Sequence, residues 1–266
     1  MSGAAPLLEV RGLGKRFEAR AGRAEPFWAI RDLSFAVAER EFLTIVGPSG
    51  SGKSTLLNVI AQIDGATEGE VRFRDRVIAT PTASTLRPGW DRQFGYVTQD
   101  DTLLPWRTLF ENVLFPLRVQ GRLTPETREH AAGLMYAVGL EGFERHYPHE
   151  LSGGMRKRAA LIRTLVYDPP VILMDEPFGA LDAQTRTQLQ EDLLRLWSFG
   201  RKTIVFVTHD IAEAIALGDR TLVFTRAPAR VHSAHAIPLA RPRDVASIYT
   251  VDGFADLHAT IRKELA

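Results

Sequence analysis

A short apolar run that leads directly into a glycine-rich segment narrows the folds open to this chain. Residues 41–46 (EFLTIV) are mainly apolar and β-branched, a pattern typical of a buried strand. Residues 54–63 then have the pattern of a helix. A strand, a glycine loop and a helix in this order predict an anion-binding site at the loop. The loop and the residues that follow it read Gly47, Pro48, Ser49, Gly50, Ser51, Gly52, Lys53, Ser54 and Thr55.

The residues of this loop suit the phosphates of a nucleotide. Gly47 and Gly52 allow backbone conformations that other residues avoid, so consecutive N–H groups can point at one anion. Lys53 supplies a positive charge to the β- and γ-phosphates, and the hydroxyl of Ser54 can ligate Mg²⁺. The strand before the loop and the helix after it disfavour the alternative, a glycine-rich turn with a chance lysine.

Two more buried strands are expected, at residues 171–174 and 203–207, each with a helical pattern before it. This alternation predicts an α/β fold whose mostly parallel sheet has helices on both faces; together with the phosphate loop, this fold resembles a P-loop NTPase core. Short strands near the N-terminus add an antiparallel β subdomain. We predict a main domain at residues 7–226 and a helical subdomain inserted at about residues 100–165. A C-terminal extension at residues 227–266 ends in a helix with one apolar stripe.

Two acids follow the strand predicted at residues 171–174. The carboxyl ends of parallel strands share one edge of a sheet, so we expect Asp175 beside the phosphate loop, where it can hold Mg²⁺. Glu176 is the candidate to polarise an attacking water. The alternative for Glu176 is an acid that caps a helix or is simply solvated.

Residues 151–154 (LSGG) form a second glycine-rich segment. Ser152 can cap a helix that begins at Gly153, which leaves N–H groups and the positive end of the helix dipole for an anion. Taken alone, the segment could be no more than a helix start.

The composition excludes some classes of protein. The chain has 33 Lys and Arg against 32 Asp and Glu, a net charge of +1, which argues against binding to nucleic acid. It has no cysteine and therefore no disulfide scaffold. No apolar run approaches the ~18–20 residues needed to span a bilayer, and the first residues lack the layout of a secretory signal. We expect contact with a membrane only through a partner.

In these residues and their order, the chain resembles ATP-binding cassette (ABC) proteins over nearly its whole length. Residues 151–155 resemble the family's signature, Gln99 its Q-loop glutamine, residues 180–182 its D-loop, and His209 its switch histidine. Phe17 lies where the family has an aromatic ring that stacks on adenine, although a core phenylalanine would explain it nearly as well. The resemblance implies an ATPase that uses ATP and Mg²⁺.

The resemblance also implies roles for individual residues. Glu176, His209 and Lys53 would be catalytic, and Ser54, Gln99 and Asp175 would hold Mg²⁺. Phe17 and the phosphate loop would bind ATP, together with Gln99, Ser152, Gly153, Gly154 and Asp182. Because the signature contacts the γ-phosphate held by the opposite subunit, the protein would act as a homodimer around two ATP molecules.

Residues 99–108, 178–186 and 241–243 resemble those of nitrate, sulfonate and taurine importers. That subgroup implies a peripheral protein on the cytoplasmic face of the inner membrane, which powers uptake of a small anion through a separate permease. A solute-binding protein outside the cytoplasm would be an indirect partner, and nucleic acid would not be one. The permease would dock near Leu103, Leu104 and Trp106, although these side chains could equally belong to the core of the helical subdomain.

Other functions stay open at this stage. The cassette could serve an exporter or a lipid transporter, or, less readily, act on nucleic acid or ribosomes. A small-molecule kinase would share the phosphate loop but has no reason to carry residues 151–154. The chain also departs from the family at Gln62 and Ile63, where a glycine and an apolar residue are usual, and at Lys157, where glutamine is usual.

Overall fold

The computed structural model describes residues 5–18, 25–81, 92–179, 181–200 and 202–265. The chain forms two compact units. The first unit combines the chain up to residue 91 with the chain from residue 202 onward, and the second unit comprises residues 92–201.

One sheet of the first unit is antiparallel and comes from the N-terminal part of the chain. Its strands are β1 (Leu8–Phe17), β2 (Phe27–Val37), β4 (Glu68–Phe73) and β5 (Arg76–Ala79), in the order β2-β1-β4-β5. The apolar residues that alternate along β1, including Leu8, Val10 and Leu13, are buried. The predicted N-terminal strands are therefore confirmed.

The other strands of the first unit pair mostly in parallel. β3 (Phe42–Val46) lies between β8 (Thr203–Thr208) and β9 (Arg220–Phe224) and is parallel to both. β10 (Val231–Ala236) is antiparallel to β9. Every residue of β3 and β8 is buried, as expected for a parallel sheet covered on both faces.

Three helices described in this unit follow these strands. They are α1 (Lys53–Ile60), α6 (Ile211–Leu217) and α7 (Phe254–Leu265). Helix α1 ends earlier than the predicted residue 63 because Gln62 adopts a left-handed φ of 60°. In α7 the predicted apolar stripe packs down, with Phe254 and Ile261 buried.

The second unit contains a parallel strand pair and mainly helices. β6 (Phe94–Val97) is parallel to β7 (Val171–Asp175). The helices are α2 (Leu109–Val119), α3 (Pro125–Ala137), α4 (Gly153–Leu165) and α5 (Ala183–Gly200). Thr108 and Glu111 form a capping box at α2, and Thr124 caps α3.

Helices α2, α3 and α4 bury a shared apolar core. Its fully buried members include Leu109, Val113 and Leu117 of α2, Ala131 of α3, and Ile162 of α4. Along the described ranges, no helix is both long and apolar enough to cross a membrane.

Candidate functional site

The phosphate loop begins where β3 ends, and its shape depends on glycine. Gly52 has a φ of 91°, and a Cβ built on it would lie 2.6 Å from the Ala29 carbonyl oxygen. No other residue fits there without moving the backbone of β2. Gly52 is also the N-cap of α1 and provides no side chain to cap it. The loop therefore offers the positive end of α1 to an anion.

The side chain of Lys53 folds back over this loop. Its Nζ donates to the carbonyl oxygens of Gly47 at 2.8 Å and Pro48 at 3.0 Å, and lies 3.5 Å from the Ser51 hydroxyl. Lys53 is only 5% exposed and Ser51 only 1%. The ammonium group is thus held inside the loop, where a phosphate oxygen could replace a carbonyl as its partner.

His209 follows strand β8, the parallel neighbour of β3. Val46 and Thr208 are Cα partners at the ends of the two strands, so Gly47 and His209 leave the sheet at the same edge. His209 is exposed. The next residue, Asp210, caps α6 by accepting from the Glu213 N–H at 3.1 Å. The first unit therefore brings His209 to the edge that carries the phosphate loop.

Phe17 ends strand β1 and is half-buried. Its ring stacks on that of Phe27, with centroids 5.4 Å apart and an interplanar angle of 24°. The Nζ of Lys15 lies 4.9 Å from the Phe17 centroid. The structure therefore gives Phe17 a ring partner that the sequence did not suggest.

In the second unit, Asp175 is the last residue of β7 and Glu176 follows it. The Tyr96 hydroxyl donates to Asp175 Oδ2 at 3.5 Å. Burial raises the pKa of the Tyr96 phenol well above its usual range, and the negative charge of Asp175 adds to this effect. Tyr96 therefore stays a neutral donor toward Asp175. Its position within a strand gave no signal of this role, because the contact depends on the register between β6 and β7.

Glu176 adopts a left-handed φ of 45°, which is uncommon for a residue with a side chain. Its carbonyl accepts from the Gly179 N–H at 3.2 Å, which closes a tight turn. A Cβ built on Gly179 would lie 3.8 Å from Glu176 Oε2 and 3.9 Å from Gln99 Nε2. The side chains of Gln99 and Glu176 therefore both border Gly179.

The main-chain carbonyl of Gln99 accepts from the Nζ of Lys157 on α4. Burial holds the pKa of the Lys157 ammonium below its usual range, against the opposing effect of the nearby Asp101 and Asp100 carboxylates. The lysine that departs from the family pattern thus contacts the predicted Q-loop residue. Sequence reasoning noted Lys157 but assigned it no partner.

The signature residues open helix α4 as predicted. Ser152 caps the helix by accepting from the Met155 N–H at 3.3 Å, and both Ser152 and Gly153 are exposed. Gly154 is needed because a Cβ there would lie 2.8 Å from Thr185 Cγ2 of α5. The N-terminus of α4 therefore combines two exposed residues, Ser152 and Gly153, with a glycine that lets the helix approach α5.

Asp182 precedes α5, and its Oδ1 accepts from the Thr185 N–H at 3.0 Å. This backbone N–H holds the pKa of the Asp182 carboxyl below its usual range. Asp182 is thus ionised and caps a helix. Ala180, the first residue of the predicted D-loop, lies outside the described residues.

The chemistry of these groups fits Mg²⁺. Magnesium prefers oxygen ligands and binds through one or two carboxylates with substrate phosphates and water, so the Asp175 carboxylate and the Ser54 hydroxyl each have suitable chemistry. Among the described residues there is no group of three or more His, Cys, Asp and Glu that could hold a metal.

The three residues expected near a permease differ in exposure. Leu103 is 8% exposed and belongs to the core of α2, α3 and α4, whereas Trp106 is 71% exposed. Leu104 is half-buried. For Leu103 the structure agrees with the alternative, a core residue of the helical subdomain, because its side chain packs inward with those of the helices; docking near these residues stays a prediction.

A family model described as ABC transporter matches residues 30–179. An uncharacterized ABC transporter ATP-binding protein of Methanocaldococcus jannaschii is 47% identical over 241 residues, covering 91% of this chain and 86% of that protein. An aliphatic sulfonates import ATP-binding protein of Bacillus cereus is 37% identical over 240 residues, covering 90% of each. A taurine import ATP-binding protein of Rhizobium johnstonii is 39% identical over 260 residues, covering 96% of this chain and 95% of that protein.

A solved dimeric structure of an ATP-binding cassette in a post-hydrolysis state, bound to ADP and Pi, has a TM-score of 0.73 and 33% identity. The match covers 86% of this chain and 98% of that one. This chain therefore belongs to the ABC transporter family and has the cassette fold. It is an ATPase that binds ATP with Mg²⁺ and hydrolyses it.

Proposed function

We propose that this chain is the ATP-hydrolysing subunit of an importer that takes up a small anion, such as a sulfonate or taurine. The observation that carries the proposal is the similarity, over at least 90% of this chain, to proteins named as sulfonate and taurine import subunits. The solute itself would be recognised by a separate permease and its solute-binding protein.

In this proposal the first unit holds the triphosphate. Residues 47–55 surround the phosphates, with Lys53 exchanging its carbonyl partners for β- and γ-phosphate oxygens and Ser54 ligating Mg²⁺. Phe17 stacks on adenine. His209 contacts the γ-phosphate, which its position at the edge shared with Gly47 supports.

Further side chains act on the metal and on water. Asp175 and Gln99 complete the ligands of Mg²⁺, and Glu176 polarises the attacking water. The strained turn at Glu176 supports this role, because left-handed backbone at a residue with a side chain is common at functional sites. Asp182 lies near the nucleotide while its side chain still caps helix α5.

The signature acts on the nucleotide of a second copy. The exposed N-terminus of α4, with Ser152, Gly153 and Gly154, suits the γ-phosphate bound to the opposite subunit. Two such contacts in a homodimer would couple ATP binding to closure of the dimer. To shift a two-state dimer from mostly open to mostly closed, ATP must bind the closed state more tightly by about 5 kcal/mol. The dimeric ATP-binding cassette that this fold matches supports the arrangement.

The exposed Trp106 and the half-buried Leu104 would contact a short segment of the permease. The chain would then lie on the cytoplasmic face of the membrane as a peripheral subunit. The net charge of +1 supports a protein partner over nucleic acid.

The test combines purification and transport. We expect the chain to purify from membranes with a permease, and the reconstituted complex to import labelled taurine or a sulfonate when a loaded solute-binding protein is added. Trp106→Ala should lower the yield of permease while leaving the basal ATPase of the isolated chain unchanged. Outward solute movement, or co-purification of ribosomal RNA in place of a permease, would contradict the proposal.

A further inference from the structure

Helix α4 contacts the segment that follows β6, residues 99–102, through three basic side chains. These side chains are Arg156, Lys157 and Arg163. Lys157 donates to the main-chain carbonyl of Gln99, the first residue of the segment. The side chain of Gln99 borders Gly179, as does that of Glu176. Lys157 therefore fixes the main chain of a residue whose side chain reaches the turn at Glu176.

Arg163 holds the far end of this segment in an uncommon conformation. Its guanidinium donates to the Thr102 carbonyl at 2.8 Å, the Thr102 hydroxyl at 2.7 Å and the Asp101 carbonyl at 3.1 Å. Thr102 has a left-handed φ of 48°, which is rare for a β-branched residue. Such a backbone conformation persists only where surrounding groups require it. The main chain at Asp101 is therefore held on α4 without help from the Asp101 side chain.

Arg156 makes two different contacts with one guanidinium. Its Nε donates to Asp101 Oδ2 at 2.9 Å, and its Nη1 donates to the Leu151 carbonyl at 2.7 Å. Leu151 directly precedes Ser152, the residue that caps α4. The N–H groups of a guanidinium have a fixed planar geometry. Arg156 therefore links the segment after β6 to the start of the signature.

The position of Arg156 within α4 is unfavourable for the helix itself. Arg156 is the fourth residue of a helix that begins at Gly153, close to the positive end of the helix dipole, where a cation is disfavoured. The Asp101 carboxylate compensates this charge in an ion pair whose side chains are 34% and 28% exposed. The charge of Arg156 is therefore explained by its contacts outside α4.

We propose that Arg156 is a positioning residue that couples the two ATP sites of the dimer, because it ties the segment beginning at Gln99 to the signature. The proposal rests on the roles proposed above for Gln99 in its own subunit and for the signature toward the second copy. A shift of Gln99 on nucleotide binding is then passed through Asp101 and Arg156 to Ser152. Because coupling between binding sites is reciprocal, each copy binds ATP more tightly once the other has bound it.

The first experiment measures the cooperativity of ATP hydrolysis. We expect a Hill coefficient of about 2 in the wild type and about 1 in Arg156→Met, with kcat nearly unchanged. Arg156→Lys keeps the charge but lacks the planar fork that reaches both acceptors. It should also lose cooperativity, while its midpoint of urea denaturation stays near that of the wild type. Arg128→Met, at an exposed arginine on α3, is the control and should keep both values.

The second experiment does not depend on turnover. In the Glu176→Gln background, Arg156→Met should raise about tenfold the ATP concentration that gives half-maximal dimer in light scattering. Asp101→Ala, which removes the carboxylate, should produce a similar rise. The variant with both substitutions should show no further rise, because the two side chains act through one contact.

Wild-type cooperativity in Arg156→Met would overturn the proposal, as would additive effects of Asp101→Ala and Arg156→Met on dimerisation. A loss of cooperativity in Arg156→Lys that is matched by a loss of stability would also overturn it, since Arg156 would then be structural alone. Failure of the proposed function gives a different result, because Glu176→Gln with Arg156 intact would then stay monomeric at every concentration of Mg-ATP. A dimer that forms with ATP but does not respond to Arg156→Met leaves the proposed function standing and removes only the coupling.

Discussion

Single residues in this protein hold unusual conformations where the proposed chemistry occurs. Glu176 has a φ of 45° and Gly52 a φ of 91°. The sequence predicted that both residues bind or act on a nucleotide. At Glu176 this conformation costs free energy and persists only where the surrounding structure requires it, whereas glycine adopts it readily and another residue at position 52 would not. Substitutions at these two positions therefore test the proposed roles of single residues.

Glu176→Gln should leave the affinity for ATP within about twofold of the wild type and lower the rate of hydrolysis at least ~100-fold, because glutamine cannot accept the proton of the attacking water. The rate is measured by phosphate release with saturating Mg-ATP. Glu129→Gln, the same change at an exposed position on α3, is the control and should keep full activity. Normal turnover in Glu176→Gln would remove this residue from catalysis.

Gly52→Ala should destabilise the protein by about 2 kcal/mol or more, because the new Cβ meets the Ala29 carbonyl at 2.6 Å and the left-handed φ is unfavourable as well. Gly121→Ala is the matched control: its φ is 66°, but a Cβ there has open space. Urea denaturation of both variants separates the contact from the φ effect. Equal losses in the two variants would show that the contact with β2 has no energetic weight.

At the scale of elements, the Arg243 side chain links the C-terminal extension to helix α6. Arg243 donates to the carbonyls of Ile215 at 2.9 Å and Ala216 at 3.3 Å, near the end of α6, and to those of Ile237 and Leu239 at 3.1 and 3.0 Å. These carbonyls include groups that a helix leaves unsatisfied at its C-terminus. Burial lowers the pKa of Arg243 to about 10, and the like charge of Arg241 adds to this, so the group is charged at neutral pH.

Arg243→Met should therefore destabilise the protein by about 2–3 kcal/mol, since hydrogen bonds from a charged donor are lost and buried carbonyls remain without them. The midpoint of urea denaturation measures the change. Arg230→Met, at an exposed arginine, should shift the midpoint little. A small effect of Arg243→Met would mean that water satisfies the same carbonyls.

An acidic side chain of helix α7 hydrogen-bonds to strand β10, and its ionisation state affects the stability of this contact. A hydrogen bond from the Ser233 hydroxyl has the largest effect on the pKa of the Glu264 carboxyl and holds it below its ordinary 4.5. His235 lowers this pKa further, and the charge of His232 adds a smaller effect. The stability that this carboxylate contributes is therefore fully present above pH 4.5 and is lost as the pH falls through the lowered pKa.

We expect the protection factors of α7 amides in hydrogen exchange to fall as the pH drops from 6 toward 3, once the intrinsic pH dependence is removed. Glu264→Gln should show lower protection at pH 6 and lose most of this pH dependence. If the wild type and Glu264→Gln respond alike, other carboxyls control the docking of α7.

At the scale of the whole molecule, the proposed dimer predicts a measurable change of mass. Glu176→Gln with Mg-ATP should run as a dimer in size-exclusion chromatography with light scattering, and as a monomer without nucleotide. Adding Ser152→Asp should abolish the dimer, because aspartate still caps α4 but places a negative charge against the γ-phosphate.

The control is Thr124→Asp in the same background, which makes the same kind of change at the exposed cap of α3. It should leave the dimer intact. A nucleotide-bound Glu176→Gln protein that stays monomeric, or a dimer that survives Ser152→Asp, would contradict a site completed by the signature of the second copy.

Much of this architecture could be predicted from the sequence because its signals are local. The apolar runs that became β3, β7 and β8, the threonine cap of α3 and the serine cap of α4 depend on neighbours within a few residues. The cassette fold and the family followed from such segments in order, and both are confirmed. The roles of the individual site residues stay predictions, since they concern bound nucleotide.

What the sequence by itself determined, then, is the order of the elements and the positions of the glycine loop and the helix caps, since glycine, capping and periodicity act through short stretches of chain. The tertiary structure alone decided that Leu103 is core, that Phe27 stacks on Phe17, that Tyr96 contacts Asp175 and that Arg243 binds α6. Each of these depends on strand register or on packing between residues distant in the chain. Local periodicity carries no information about such partners, because it specifies which face of an element is buried and not what lies opposite.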